Sequence, residues 1–172
     1  DAAPGTYYLV FKNGKKTFKY PYEIAAREEG SAERKSFTTA DMVYLIMPDR
    51  FANGDASNDS TDDTAEDARR NNPHGRHGGD IQGVIDHLDY IAELGATAIW
   101  ATPFLLDDAR RGSYHGYAAS DYYKIDPRFG TNDLYKEYVD KAHEKGIKIL
   151  MAMGTKHWGG QHWRRRALPL ED

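Results

Sequence analysis

The sequence predicts an α/β fold, with parallel strands alternating with helices, preceded by a β-hairpin. Three observations predict it. Short apolar runs recur at residues 43–47 (VYLIM), 97–101 (TAIWA) and 147–153 (IKILMAM), as in strands buried on both faces of a parallel sheet. Apolar residues at helical spacing fill two of the intervals between them. Two aromatic and β-branched runs flank Asn13-Gly14 near the start, the signature of a tight hairpin turn.

Taken in order, residues 6–24 (TYYLVFKNGKKTFKYPYEI) form the hairpin. A lone hairpin is marginal in water, so residues 1–25 are expected to be the last piece of a β-sandwich domain whose other strands precede residue 1. Residues 26–40 are polar and contain Gly30 and Ser31, which marks a linker. The first apolar strand follows, and then a polar segment rich in Asp, Asn and Gly that far exceeds an ordinary connection of about 2 to 6 residues. Ile81, Val84, Ile85, Leu88, Ile91 and Leu94 then predict a helix, with Asp80 placed to cap it and Gly95 to stop it. After the second strand comes a Tyr-rich loop over 112–130. Leu134, Tyr135, Tyr138, Val139 and Ala142 mark a second helix before the third strand. Strand-helix alternation implies right-handed crossovers, and three strands leave a doubly wound sheet and a barrel equally open. In either case the long loops follow the C-terminal ends of strands, where such folds place their sites.

The chain has 172 residues, 40% of them hydrophobic and 29% charged, as in an ordinary globular domain. A net charge of -4 argues against a nucleic-acid partner. No run reaches the ~18 apolar residues of a membrane span. The absence of cysteine excludes disulfides and thiolate zinc sites and fits cytosol and periplasm equally; we lean toward periplasm or secretion.

Within the first long loop, Asn53, Asp55, Asn58 and Asp59 offer oxygen-bearing side chains suited to a hard cation such as calcium, which takes six to eight oxygens. An exposed Asx-rich turn without a ligand explains them equally well. Asp80 fits a helix N-cap better than a further ligand. The group Tyr114, Tyr117, Tyr122 and Tyr123, interleaved with His115 and Asp121, has ring faces for stacking on sugars and polar edges for hydroxyls; half-buried packing is the competing role. His157 lies just past the third strand, on the rim where barrel sites sit. There is no G-x-S-x-G, and His143-Glu144 lacks the second His of H-E-x-x-H.

PDRFANGDASND, GGDIQGVIDHLDYIAELGATAIWATP, SYHGYAASDYYKIDPRFGTNDLYKEYVDKAHEKGIKILM and His157 together resemble, in order and spacing, the α-amylase family of glycoside hydrolases, and within it the neopullulanase and cyclomaltodextrinase group. The resemblance implies that residues 41–172 are the N-terminal part of a (β/α)8 TIM barrel acting on α-glucans such as starch, pullulan, cyclodextrin or maltooligosaccharides by a retaining mechanism. It further implies Tyr117 as a stacking platform, His157 as a hydrogen-bond donor to the same sugar and Asp121 as a neighbouring substrate-binding residue. Structural calcium would sit on Asn53, Asp55, Asn58, Asp59, the Gly78 carbonyl and Asp80.

Two positions depart from the family pattern: Ala152 stands where the family carries Asp, and Lys156 where it carries Asn. The family's catalytic carboxylates follow barrel strands four, five and seven. No catalytic residue is therefore expected in this chain, and the isolated chain is expected to be inactive and to self-associate through its open half-barrel. The alternative is a non-catalytic glycan-binding module or one stabilised structurally by calcium.

Overall fold

The computed structural model describes residues 2–34, 36–154 and 159–162, and the chain divides into two compact units, Asp1–Ser36 and Phe37–Asp172. In the first unit, β1 (Gly5–Asn13) pairs antiparallel with β2 (Lys16–Ile24). The register sets Tyr7 opposite Tyr22, Leu9 opposite Tyr20 and Phe11 opposite Phe18. Strand alternation puts these three pairs on one face, which is aromatic and apolar except at the turn end, where Asn13 pairs with Lys16. Their side chains stay exposed, since two strands supply no second layer to cover them.

The second unit begins with β3 (Val43–Ile46), followed by the one-turn helix α1 (Pro48–Phe51). Next come α2 (Ile81–Asp86), α3 (Leu88–Glu93) and β4 (Ala98–Ala101). Beyond them lie β5 (Leu105–Leu106), β6 (Asp121–Ile125), α4 (Asn132–Glu144) and β7 (Lys148–Met151). Strands β3, β4 and β7 form one parallel sheet in that order, with Ile46 beside Ala101 and Ala101 beside Met151. Consecutive parallel strands joined through helices are what the apolar runs predict.

The helix predicted over 81–94 is interrupted. At His87 the backbone leaves the helical region (φ -113°, ψ 16°), and the ring Nδ1 lies 2.8 Å from the Gly83 carbonyl oxygen. An edge-on contact of the same ring with Phe51, 5.6 Å between centroids, holds it there. Two short helices result where periodicity alone predicts one. The loop predicted over 112–130 also holds more order than expected, because β6 returns antiparallel to β5, with Ile125 opposite Leu105.

Caps explain where the helices begin. Asp80 accepts the Gly83 N–H at 2.6 Å, and Thr131 Oγ1 accepts the Leu134 N–H at 3.0 Å. The core lies on one side of the parallel sheet, where Ile46 and Ile99 meet Ile81, Leu88, Phe104 and Tyr138. Among the described residues the other face has no such cover: Leu45 is 60% and Trp100 44% exposed. The long segments following β3 and β4 both leave from the C-terminal ends of their strands, and they carry the candidate site. Among the described residues, no helix is long and apolar enough to cross a membrane.

Candidate functional site

The segment after β4 is shaped around Asp107, which is fully buried. Its Oδ1 accepts the Ala109 N–H and its Oδ2 the Ala118 N–H, both at 3.1 Å, so one carboxylate joins the two ends of the turn. Burial raises its pKa, opposed by these two hydrogen bonds and by the nearby His115. Between the anchored ends, Ser113–His115 make a short 3-10 turn that closes at Gly116. Gly116 has φ +73°, and a Cβ there would lie 2.1 Å from the Pro103 carbonyl oxygen, so only glycine lets the turn press against the strand end.

Tyr117 follows directly and is 45% exposed. Its backbone N–H donates to His115 Nδ1 at 2.9 Å, and the two rings lie 5.9 Å apart at 37°. Tyr114 on the other side of His115 lies under the Arg50 guanidinium, 4.2 Å from the ring centroid. Of the predicted sugar-facing residues, then, Tyr117 presents an accessible ring on a fixed backbone. Asp121 opens β6, where its Oδ1 accepts the Tyr123 N–H at 2.8 Å. Tyr122 is held by its hydroxyl donating to the Gly154 carbonyl at 2.7 Å, while Tyr123 is 87% exposed. The segment after β7 returns to this loop through the Gly159 N–H, which donates to the Ala119 carbonyl at 2.8 Å. His157 and Lys156 lie outside the described residues.

Beneath the loop is an ionic cluster that sequence reasoning missed. Arg128, fully buried, donates from Nε and Nη2 to the two oxygens of Asp126, at 2.9 and 2.7 Å. Its remaining donors reach the carbonyls of Glu66 and Asp107, both at 2.8 Å. Burial opposes the charge, but the bonds to Asp126 and the attraction of Glu66 and Asp107 outweigh it and raise the pKa. Arg76, equally buried, is lowered to about 10 because burial outweighs the attraction of Asp126 and Arg128 adds repulsion. Its guanidinium lies over the Phe129 ring at 4.5 Å. Glu66, from the first long loop, accepts from the Gly112 N–H at 3.1 Å and from Ser113 N and Oγ at 2.7 Å, which ties that loop to the Tyr117 turn. The clue in sequence is slight: charged residues inside long polar loops normally read as solvated.

The predicted cation ligands converge in part. Asn53 Nδ2 donates to Asp59 Oδ1 at 2.6 Å, and that same oxygen lies 2.3 Å from where a Gly78 Cβ would stand. Asn53, Asp59 and Gly78 thus share one spot, and the φ of +87° at Gly78 favours glycine there. Asn58 Oδ1 is buried without a hydrogen-bond partner, while its Nδ2 lies 3.4 Å from Asp80 Oδ2. Asp80 acts as the helix cap: Oδ1 accepts from the Gly54 and Gly83 N–H groups and Oδ2 from the Asp55 N–H. Asp55 turns to Ser57, whose N–H and hydroxyl both donate to its Oδ1, and these bonds lower its pKa. Among the described residues no three His, Cys, Asp or Glu side chains converge as a metal centre. The donors on offer are instead amide and carboxylate oxygens with a nearby glycine backbone. An orphaned buried Asn58 oxygen is compatible with a hard cation.

Comparison with known proteins matches residues 45–168 to the model of the alpha-amylase catalytic domain. Neopullulanase 2 of Thermoactinomyces vulgaris is 43% identical over 127 residues, covering 73% of this chain and 21% of that protein. Among solved structures, an Anoxybacillus alpha-amylase superposes with a TM-score of 0.64 at 42% identity, over 71% of this chain and 25% of that one. The alpha-amylase of Geobacillus thermoleovorans, complexed with acarbose, gives 0.60 at 38% identity, over 74% and 25%. The chain therefore spans about a fifth of the length of a curated relative and a quarter of the solved chains. With the parallel β3-β4-β7 order, the loops at the strand ends and this match, the chain belongs to the alpha-amylase family of glycoside hydrolases, as part of its catalytic barrel.

Proposed function

We propose that these residues form the sugar-stacking wall of a retaining hydrolase of α-glucans. The observation that carries this is Tyr117: a half-exposed ring in the long segment that follows β4, on a backbone fixed by His115, Gly116 and Asp107. A rigid aromatic face beside polar groups suits a pyranose ring. Asp121 and His157 complete the substrate-facing set, with His157 assigned from the family pattern alone. Family membership and the acarbose complex of a neighbour support the substrate class.

The chain's own carboxylates fit a positioning role better than a catalytic one. Asp107, Asp126 and Glu66, which anchor the Tyr117 turn and the layer beneath it, are all buried and engaged by backbone N–H or arginine donors, and the half-buried Asp121 accepts the Tyr123 N–H. A retaining glycosidase needs two carboxylates about 5 Å apart and facing the sugar, one of them free to attack. We therefore propose that the isolated chain binds without cleaving.

The loop around Asn53, Asn58, Asp59, Gly78 and Asp80 fits a structural calcium, with Asp55 reaching it only by leaving Ser57. Such an ion would stabilise the first long loop, which Glu66 joins to the Tyr117 turn. A second reading, a non-catalytic glycan-binding module, is favoured by Ala152 in place of the family's Asp.

Titration of the 172-residue chain with maltotriose, followed by amide NMR with and without calcium, tests these assignments. Shifts centred on residues 114–123 that vanish in Tyr117→Ala are expected, along with a higher melting temperature in calcium than in chelator. Unchanged spectra at millimolar maltotriose refute the stacking wall. Release of reducing sugar from pullulan or cyclodextrin by pure chain refutes the non-catalytic role.

A further inference from the structure

We propose that His115 is a positioning residue whose protonation releases Tyr117: neutral, it tethers the Tyr117 backbone, and charged, it turns to Asp107. A backbone N–H can only donate, so the 2.9 Å bond from Tyr117 N requires His115 Nδ1 to be unprotonated, with the ring proton on Nε2. The same Nδ1 lies 3.8 Å from Asp107 Oδ2. A proton added to the ring goes onto Nδ1. There it abolishes the acceptor that holds Tyr117 and creates a donor facing a fully buried carboxylate. One atom thus serves two exclusive bonds, and pH selects between them.

The surroundings determine which groups the switch responds to. Asp107 is the anion facing the ring, and the Tyr114 and Tyr117 rings flank it, with centroids 5.7 and 5.9 Å away. The Arg50 guanidinium lies over the Tyr114 ring, 4.2 Å from its centroid. Asp126, Arg128, Arg76 and Glu66 form the buried layer below, with Arg128 bonded to the Asp107 carbonyl. The His115 side chain is 40% exposed, so protons reach it directly, while Asp107 is sealed. Gly116 cannot absorb the change by shifting inward, because Pro103 blocks it. The residue free to respond is Tyr117, with its accessible ring.

This inference rests on Tyr117 being the stacking residue only for its consequence, not for the tether itself, and the test separates the two. In the full 172-residue chain without sugar, the Tyr117 amide proton is followed by NMR against pH beside the His115 ring protons. Both are expected to titrate with one midpoint. His115→Asn provides a side-chain oxygen that accepts the N–H two residues on and does not titrate. It should hold the Tyr117 amide in its high-pH position throughout, and His115→Ala should leave it untethered throughout. A wild-type Tyr117 amide that ignores the His115 titration overturns the proposal. With maltotriose as probe, affinity is expected to fall by about two- to tenfold as His115 charges, the worth of one hydrogen bond, and His115→Asn should remove that fall. Coupled titration without maltotriose binding upholds the tether and refutes the stacking wall instead.

Discussion

Arg128 and Asp126 form a fully buried ion pair in the second unit. Two charge-assisted bonds join them in full burial, and Arg76 lies nearby with Nη1 3.8 Å from Asp126 Oδ2 and with Nε and Nη2 lacking hydrogen-bond partners. Removing the carboxylate leaves two buried guanidiniums without their shared counter-charge. Asp126→Ala should therefore destabilise by about 3–5 kcal/mol, a large share of the stability of an ordinary domain, and urea unfolding followed by tryptophan fluorescence measures it. None of this was legible from residue types, since DPRFG in a polar stretch reads as a solvated turn. The Asp80 cap and the crowded Gly78, by contrast, stand where the sequence pattern puts special residues. The difference is physical: a cap is a local rule, whereas Asp126 and Arg128, only two residues apart, become a buried pair because the distant Glu66 and Asp107 segments close over them.

Among the elements, the pattern of apolar residues predicts β3, β4, β7 and α4. Its continuous runs, however, read as strands covered on both faces, whereas Leu45 and Trp100 leave one face of the sheet exposed. The pattern misses the break at His87, where a side chain competes for a helical carbonyl, and the β5–β6 pair, where a two-residue strand is too short to show alternation. It also gives no sign of what ties the strand beginnings together. Asp41, just before β3, accepts from Lys148 Nζ at 2.8 and 2.9 Å, from Thr97 Oγ1 at 2.9 Å and from the Thr38 N–H at 2.5 Å. The Lys148 bond foremost, with the Thr38 and Thr97 bonds, lowers its pKa from 3.8 to about 2. A carboxyl depressed by folding stabilises the native state above its unfolded pKa and loses that contribution as pH falls through the folded one. Melting temperature should thus decline between about pH 4 and pH 2 in the native chain. Asp41→Asn should lower it at neutral pH and flatten this acid limb, and a decline of equal steepness in the variant would show that other carboxylates govern it.

At the scale of the whole molecule, the described residues of the second unit cover the parallel sheet on one side only. Tyr44, Ile46, Ile99 and Ile149 face the helices, while Leu45 and Trp100, adjacent in register, remain 60% and 44% exposed on the opposite face. In a closed barrel that face points inward, and layers of side chains from other strands fill it. The outer strands β3 and β7 also leave hydrogen-bonding edges that such closure would pair. Apolar surface and open edges together favour association with further copies. Light scattering across a concentration series should therefore show the average mass of the 172-residue chain rising with concentration. Charging the face with Leu45→Glu and Trp100→Glu should return it toward a monomer without loss of helical signal, because neither side chain belongs to the packed core. A native chain that stays monomeric throughout would mean that its own residues cover this surface in solution, and the sheet would then have to be read as a complete layer rather than as an arc of a barrel.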